Sequence, residues 1–527
     1  MEIKIEKNYL VFPTNRCVTK KRLRFFENGK EVYYINVRLD ETDPDFYAYV
    51  DMRRFIGKTL TLEIFPFMRV SFTQADEMPD DERDGCRPYI HFTPKRGWLN
   101  DPNGLIKLGD DYHLFYQFNP AERAWENMHW GHAVSKDLLH WNDLPTALFP
   151  DATGTMYSGC AVLDKGNVSR LGKDGNAPVL LYYTAAGNHA SAPVNYTQCL
   201  AYSTDDLKTI EKYDGNPVVD YVIGGNRDPK VVWCEECNAY VMSLYLDKDE
   251  YVLYLSTDLL QWKELQRLHI AGENECPNFF PINTQQGERK WVFIGAHEIY
   301  LIGSFVNEIF VPDQKPKRMY SASNAYAAQM FTDMPNDQVI RIPWIRWQNN
   351  FVAKTFTQQM GIPCGVQLEK CNDEYYLSFL PVSQLQTLSL EKATYENVKI
   401  SEEKTQKYKL GDYAVKLSLQ GEYAHDTILK MTCFGVTFTF NFTKNEIVTG
   451  GAYINPLSIT QKRLDVQMII DKTSIEVFCD NGKIVYAIAI GGNANCDYNL
   501  PYVEFYANKP YAFAKIETEK LARVWEK

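Results

Sequence analysis

The segment Ser135-Lys-Asp-Leu-Leu-His-Trp141 recurs along the chain and is its most informative pattern. Similar segments, Ser203-Thr-Asp-Asp-Leu207 and Ser256-Thr-Asp-Leu-Leu-Gln-Trp262, begin 68 and 53 residues further along. Each follows a pair of short apolar segments typical of strands, and a Ser-x-Asp turn lets both side chains hydrogen-bond the local backbone. Weaker copies occur around residues 290–297 and 325–347. A β unit of about 40–65 residues that recurs about five times predicts a five-bladed β-propeller, and a β-sandwich with turns alike by chance is the alternative.

Both flanks of the repeat region have the alternating pattern of β-strands. Residues 1–85 end in an acidic, proline-containing stretch, which predicts a small β-sandwich-like domain followed by a linker. Residues 359–527 contain further alternating segments and the hairpin turn Asp480-Asn-Gly-Lys483. The prediction is an all-β chain with a sandwich-like N-terminal domain (1–85), a five-bladed propeller (86–358) and a C-terminal β-sandwich (359–527).

Composition narrows the class of protein. The chain has 527 residues, of which 45% are hydrophobic and 23% charged, as in folded proteins. The formal net charge of −11 argues against a nucleic-acid binder, which needs a basic face. No apolar run approaches the ~18–20 residues of a membrane span, and the first residues are too charged for a signal peptide. We therefore expect a cytoplasmic protein that binds neither nucleic acid nor membrane. Aromatic residues, 14% of the chain, make carbohydrate a reasonable ligand.

Three acidic motifs lie within the repeat region: Trp98-Leu-Asn-Asp-Pro-Asn-Gly104, Asn226-Arg-Asp-Pro-Lys230 and Glu273-Asn-Glu-Cys-Pro277. Each places a carboxylate close to a proline, where a strand could begin. Because the innermost strands of a propeller run along its axis, residues of different blades converge at one end. Two facing carboxylates, one ionised and one protonated, are the minimum for retaining glycoside hydrolysis, and a third can bind sugar hydroxyls. The alternative is structural, since Asp-Pro dipeptides also cap turns.

Further motifs belong to the same pattern. The complete set is His91-Phe-Thr-Pro94, Trp98 to Gly104, Phe115-Tyr-Gln-Phe-Asn-Pro120, Met128-His-Trp-Gly-His-Ala133, Arg227-Asp-Pro229 and Glu275-Cys-Pro277. With these motifs in this order, the chain resembles glycoside hydrolase family 32, the family of invertases, inulinases, levanases and fructan exohydrolases. The resemblance is strong over residues 90–347 and implies a five-bladed propeller followed by a β-sandwich. Residues 1–85 resemble an extra N-terminal β domain of some bacterial members.

The resemblance implies roles for individual residues. Asp101 would be the nucleophile, Glu275 the general acid/base and Asp228 the transition-state stabiliser. Seven more residues would line the fructose pocket: Asn100, Gln117, Trp125, Tyr157, Ser158, Arg227 and Trp344. No metal or organic cofactor is implied, because carboxylates and water carry this chemistry. From the charges, we expect Arg227 to keep Asp228 ionised and Asp101 to raise the pKa of Glu275.

The implied function is that of a retaining, exo-acting β-D-fructofuranosidase. It would release fructose from the non-reducing ends of sucrose, fructo-oligosaccharides, inulin or levan. A fructosyltransferase shares the covalent intermediate and differs only in the acceptor. An inverting arabinan-directed hydrolase would lack the motif around Asp101, and a non-catalytic fructan-binding protein would not need all three carboxylates. Linkage preference, preference for a 6-phosphorylated substrate and oligomeric state stay open.

Overall fold

The computed structural model describes residues 1–79, 85–320, 323–349, 353–450, 453–490 and 502–525. Within these ranges the helices are short 3-10 helices, and all other regular elements are strands. The helices are Arg53–Phe55, Gly187–His189, Pro335–Asp337 and Ser383–Leu388. None of the described helices is long and apolar enough to cross a membrane. The prediction of an all-β chain is confirmed; residues 80–84 of the predicted linker lie outside the described residues.

Two small sheets form the N-terminal domain. Their strands are β1 (Glu2–Lys4), β2 (Tyr9–Thr14), β3 (Lys21–Glu27), β4 (Lys30–Val37), β5 (Phe46–Asp51), β6 (Thr59–Phe65) and β7 (Thr73–Ala75). One sheet has the order β1-β6-β3-β4 and the other the order β5-β2-β7. Because side chains alternate along a strand, Leu60, Leu62 and Ile64 of β6 enter the shared core while their neighbours face solvent. The predicted sandwich-like domain is therefore present.

Three successive antiparallel sheets begin the repeat region. Their strands are β8 (Gly97–Leu108), β9 (Asp111–Asn119), β10 (His129–Ser135) and β11 (Trp141–Asp143); β12 (Thr155–Leu163), β13 (Val179–Ala186), β14 (Thr197–Ser203) and β15 (Glu211–Lys212); and β16 (Arg227–Cys234), β17 (Ala239–Asp247), β18 (Glu250–Ser256) and β19 (Lys263–His269). The repeated Ser-x-Asp segment follows the third strand each time. The Ser135 hydroxyl accepts the Asp137 N–H at 3.1 Å, and the Asp137 carboxylate accepts the Leu139 N–H at 2.9 Å. Ser256 and Asp258 make the same two contacts, so the predicted turn is confirmed.

Two further sheets complete this region. Their strands are β20 (Asn278–Asn283), β21 (Arg289–Ile294), β22 (Ile299–Val306), β23 (Ile309–Pro312) and β24 (Lys317–Arg318); then β25 (Ala325–Met330), β26 (Val339–Ile345), β27 (Phe356–Thr357), β28 (Gln359–Met360), β29 (Cys364–Cys371) and β30 (Glu374–Pro381). One of these strands, β27, belongs to the first sheet instead, because it pairs in parallel with β8. The others form the fourth and fifth sheets. The domain boundary predicted at residues 358–359 is wrong, because β29 pairs with β26 and β30 pairs with β29.

The first strands of the five sheets lie side by side. β8 contacts β12, β12 contacts β16, β16 contacts β20, and β25 returns to contact β8. Asp101, Ser158, Asp228 and Tyr326 all lie within the first five residues of their strands, so they meet at one end of the arrangement. These sheets correspond to the predicted blades, and the count of five blades around a closed axis stays a prediction.

A two-sheet sandwich forms the C-terminal part of the chain. Its strands are β31 (Ser389–Ile400), β32 (Gln406–Lys409), β33 (Ala414–Glu422), β34 (Ile428–Cys433), β35 (Val436–Asn441), β36 (Glu446–Thr449), β37 (Tyr453–Pro456), β38 (Arg463–Ile470), β39 (Ser474–Cys479), β40 (Ile484–Ala489), β41 (Tyr502–Ala507) and β42 (Tyr511–Leu521). The sheet orders are β31-β42-β33-β38-β39-β40 and β32-β41-β34-β35-β36-β37. The predicted C-terminal sandwich is therefore present, and it starts after β30.

A buried histidine joins the sandwich to the repeat region. Both ring nitrogens of His91 lie 2.7 Å from a carboxylate oxygen, one of Asp471 and one of Glu476. Burial acts to lower the pKa of His91, but its hydrogen bonds to these two carboxylates raise the pKa to about 9. Asp471 also accepts the Ile90 N–H at 3.0 Å, and Glu476 accepts the Ile362 N–H at 3.1 Å. His91 is thus a buried cation that both carboxylates of the sandwich neutralise.

Candidate active site

One cavity of about 210 Å³ contains all the site residues predicted from the sequence. Ten of the eleven described residues that line it are Asn100, Asp101, Gln117, Trp125, Tyr157, Ser158, Arg227, Asp228, Glu275 and Trp344. The eleventh, Tyr326, was not among the predicted residues. Its position could have identified it, because Tyr326 is the second residue of the first strand of the fifth sheet, and the first strands of the first three sheets carry site residues near their starts.

Irregular strand pairing turns three side chains towards the cavity. The pairing register shifts around Asp101 in β8, around Ser158 in β12 and around Asp228 in β16. A bulge re-aims a side chain that regular alternation would place elsewhere. Asp228 and Glu275 also have φ angles of 65° and 55°, a left-handed conformation that non-glycine residues seldom adopt. Backbone strain of this kind persists where the surroundings enforce it and clusters at functional sites.

Asp101 accepts a short hydrogen bond at the floor of the cavity. The Ser158 hydroxyl donates to Oδ2 of Asp101 at 2.6 Å, and the Cys276 thiol lies 3.7 Å from the same oxygen. The side chain stays accessible from the cavity, yet the protein around it raises the pKa of Asp101 to about 6. Desolvation is the main cause, and the hydrogen bond from Ser158 opposes it. One face of the carboxylate is therefore left open towards a ligand.

Asp228 is more deeply buried, with 3% of its surface exposed. Its Oδ2 accepts the backbone N–H of Cys276 at 3.0 Å and lies 3.9 Å from Nε of Arg227. Burial raises the pKa of Asp228 to about 7, and the charges of Glu275 and Asp101 act in the same direction, against Arg227. The expectation that Arg227 keeps Asp228 ionised is therefore wrong, because desolvation outweighs the charge of one guanidinium.

Glu275 accepts hydrogen bonds from Arg227 and Tyr326. Nη2 of Arg227 donates to Oε1 of Glu275, and the Tyr326 hydroxyl donates to Oε2. Burial acts to raise the pKa of Glu275, but the charge of Arg227 and these hydrogen bonds outweigh it and lower the pKa. The expected upward shift of the Glu275 pKa is thus wrong. Three coupled carboxylates share their protons, and here Asp101 and Asp228 bind them more readily than Glu275 does.

Aromatic and amide groups complete the cavity wall. The Trp98 indole donates to Oδ1 of Asn100 at 2.8 Å, which fixes the amide beside Asp101. The Trp344 indole donates to Gln358 at 3.0 Å, and its ring packs edge-on against that of Trp98 at a centroid distance of 6.0 Å. Trp125 is 45% exposed at the rim. Such a wall offers hydrogen-bonding groups for hydroxyls and ring faces for C–H groups, as a sugar requires.

Comparison with known proteins identifies the family. A sequence model described as "Glycosyl hydrolases family 32 N-terminal domain" matches residues 91–379, more than half of the chain. The chain belongs to glycoside hydrolase family 32. It is therefore a glycoside hydrolase, and the resemblance seen in the sequence is confirmed. The match ends inside β30, which agrees with the extent of the fifth sheet.

Relatives of this family 32 chain include enzymes of fructan and sucrose breakdown. A levanase of Bacillus subtilis is 29% identical over 489 residues, which cover 82% of this chain and 70% of the levanase. An invertase of Schizosaccharomyces pombe is 36% identical over 296 residues, which cover 51% of this chain and 50% of the invertase. The crystal structure of an exo-inulinase from Aspergillus awamori superposes with a TM-score of 0.74 at 24% identity, covering 85% of this chain and 100% of that one. This structural likeness shows a shared fold.

The raised pKa of Asp228 predicts a stability cost in this glycoside hydrolase. Its folded pKa of about 7 exceeds the ordinary 3.8, so the folded state holds a proton that the unfolded chain has lost. The contribution of the Asp228 carboxyl to the free energy of unfolding is fully present below pH 3.8 and declines as the pH rises to about 7. Asp228→Asn should therefore raise the free energy of unfolding at pH 8 by roughly 2–4 kcal/mol, with a smaller gain near pH 4.

Denaturant unfolding of both proteins at several pH values checks this. A matched control is Asp471→Asn, because the pKa of Asp471 is lowered by its hydrogen bond to His91 despite burial. That control should destabilise the protein at pH 8. An Asp228→Asn variant less stable than the wild type at pH 8 would contradict the prediction.

Proposed function

We propose that this protein is a retaining, exo-acting β-D-fructofuranosidase that releases terminal fructose from sucrose, fructo-oligosaccharides, inulin or levan. The observation that carries the proposal is the convergence of Asp101, Asp228 and Glu275 in one cavity of about 210 Å³. A cavity of this size suits about one sugar ring, which favours attack on a chain end over attack within a chain. The levanase, invertase and exo-inulinase relatives support fructosyl substrates.

In the proposed reaction, Asp101 attacks carbon C2 of the fructosyl unit. Glu275 protonates the oxygen that leaves, and the product of this step is a fructosyl ester of Asp101. Glu275 then removes a proton from water, which attacks C2, releases fructose and restores the Asp101 carboxylate. Asp228 accepts hydrogen bonds from ring hydroxyls, and these bonds strengthen as positive charge develops on the ring.

The protonation of the three carboxylates adds one requirement to this mechanism. Glu275 must hold a proton when the leaving group departs, yet Arg227 and Tyr326 favour its ionised form. Sugar hydroxyls that donate to Asp228 stabilise the ionised form of that carboxylate and lower its pKa. Substrate binding thereby makes the proton of Asp228 available within the cavity. Glu275, once protonated, is a strong acid towards the leaving oxygen.

The stereochemical test uses methanol as the acceptor in place of water. Reaction of the wild type with sucrose and methanol should yield methyl β-D-fructofuranoside, which keeps its configuration and can be identified by NMR. Fructose release from sucrose, kestose, inulin and levan is measured in parallel. The α-anomer as first product would overturn retention, and no release from any substrate would overturn the hydrolase proposal.

Tyr326→Phe should shift the pH profile of this reaction. The change removes the hydroxyl that donates to Glu275, so the pKa of Glu275 rises. Because the acid must be protonated, the alkaline limb of kcat/KM should move up by about 0.5–1 pH unit, the equivalent of one hydrogen bond. Initial rates between pH 4 and 9 measure it. Tyr196→Phe is the control, because the hydroxyl that it removes interacts with Tyr157 and the hydroxyl on Glu275 is kept. A limb that stays in place or moves down would contradict the assigned role.

A further inference from the structure

The N-terminal domain contacts the wall of the catalytic cavity through two loops of the propeller. One loop, residues 120–128, carries Trp125, and the other, residues 187–191, carries His189. The Trp125 ring meets the rings of Tyr157 and His189 edge-on, at centroid distances of 6.0 and 5.9 Å. The Tyr157 hydroxyl lies 3.0 Å from Nε2 of His189. Because Trp125 and Tyr157 line the cavity, His189 extends that wall outward.

A cross-strand pair of the N-terminal domain holds both loops. Arg22 and Asn36 face each other on β3 and β4, and Nε of Arg22 donates to Oδ1 of Asn36 at 3.0 Å. Nη2 of Arg22 donates to the backbone carbonyl of His189 at 3.0 Å. Nδ2 of Asn36 donates to Oε1 of Glu126, next to Trp125, at 2.9 Å. One pair of side chains therefore connects the two loops.

The Trp125 loop is fixed at a second point by Asn127. Oδ1 of Asn127 accepts the backbone N–H of Asn36, and Nδ2 of Asn127 donates to the Asn36 carbonyl, each at 2.8 Å. Asn127 is only 2% exposed, and Lys20 of the N-terminal domain adds an ion pair with Glu126. Trp125 itself is 45% exposed, and its ring contacts are with Tyr157 and with His189, whose loop the same domain holds. Its position therefore depends on the N-terminal domain.

We propose that the N-terminal domain builds the subsite for the second sugar of the substrate, by positioning Trp125 and His189 at the mouth of the cavity. The inference rests on the proposed function and identifies where the leaving sugar binds. The fructosyl unit lies among the carboxylates, so the sugar on the leaving side must lie at the rim. Trp125 offers an exposed ring face to the C–H groups of that sugar. His189 offers Nδ1, which has no hydrogen-bond partner in the part of the chain that the structure describes.

The charge state of His189 suits this role. Burial and the charge of Arg22 lower the pKa of His189, so the ring is neutral at pH 7. A neutral imidazole can donate to or accept from a sugar hydroxyl, according to its tautomer. Arg22 and Asn36 do not touch the sugar in this arrangement and act as positioning residues.

Arg22→Ala and Asn36→Ala test the proposal, with kcat and KM measured for sucrose and the inhibition constant Ki measured for fructose. Each variant loses hydrogen bonds to the loops and should raise KM by about three- to tenfold, with kcat within about twofold of the wild type. The Ki for fructose, which fills only the cavity, should change by less than about twofold. Lys58→Ala is the control in the same domain, because Lys58 pairs with Glu27 of its own domain.

A double-mutant cycle separates positioning from general damage. His189→Ala should raise KM as Arg22→Ala does. The double variant should have a KM less than about 1.5-fold above that of the single variant with the higher KM, since Arg22 acts through His189. Unchanged KM in both single variants would overturn the inference. An equal rise of KM and of the fructose Ki, together with a lower Tm, would also overturn the inference, because it would indicate general damage to the fold. If the wild type releases no fructose, the proposed function fails instead, and the same comparison is made on the Kd for sucrose by calorimetry, with the same fold-changes expected.

Discussion

Asp101→Asn should leave a folded protein that releases fructose from sucrose about 10⁴-fold more slowly than the wild type, or slower still. An amide has nearly the shape of a carboxylate but is a poor nucleophile, so the fructosyl ester cannot form. The Ser158 hydroxyl, which donates to Asp101 at 2.6 Å, can still donate to the amide oxygen. The loss should therefore be in kcat, with fructose binding retained. Initial rates and calorimetric titration with fructose measure the two quantities.

Asp174→Asn is the control for this substitution. Asp174 is an exposed carboxylate outside the cavity, and the variant should keep its rate within about twofold. Near-normal turnover by Asp101→Asn would show that another group is the nucleophile. Loss of fructose binding together with a lowered Tm would show that the carboxylate supports the fold instead.

Glu275→Gln should lower kcat/KM for sucrose by about 10²–10⁴-fold, because the leaving oxygen no longer receives a proton. The loss should be much smaller for fructosyl fluoride, since fluoride departs without protonation. The amide also lacks the charge that attracts Arg227, but it keeps an oxygen that can accept from Tyr326. Rates on the two substrates with the same preparation provide an internal control for folding and active-site concentration.

Azide gives the second measurement on Glu275→Gln. Azide is already anionic and needs no general base, so it should accelerate breakdown of the fructosyl ester and yield β-fructosyl azide. Wild-type rates should be unaffected by azide. Equal losses on sucrose and fructosyl fluoride, without azide rescue, would contradict the acid/base role of Glu275.

The parts of the site that could be predicted are those that local sequence determines. Asp101 and Asp228 each precede a proline at the start of a first strand, and the propeller pattern brings such positions together. Tyr326 is equally well placed but has no neighbouring motif of its own. Seen in the sequence alone, a tyrosine at a strand start is also an ordinary β-sheet residue.

The parts that could not be predicted depend on contacts between distant segments. Arg227 lies next to Asp228 in the sequence, yet its guanidinium bonds Glu275, because side-chain direction and desolvation decide the partner. The end of the propeller was placed too early, since β29 joins β26 across 18 intervening residues. Alternation predicts strands but does not say which sheet a strand joins.

The junction at His91 has a consequence for how the chain folds while the ribosome synthesises it. His91 and Asp471 are 380 residues apart, so the ribosome synthesises the histidine long before its carboxylate partners. Until residues 471–476 emerge, the His91 imidazole lacks both carboxylates that hold its proton, and the junction between propeller and sandwich cannot form. Nascent chains that stop short of β39 should accordingly be more open to proteases around His91 than full-length chains are. The junction thereby ties the packing of a segment that is made early to a sandwich that is made late.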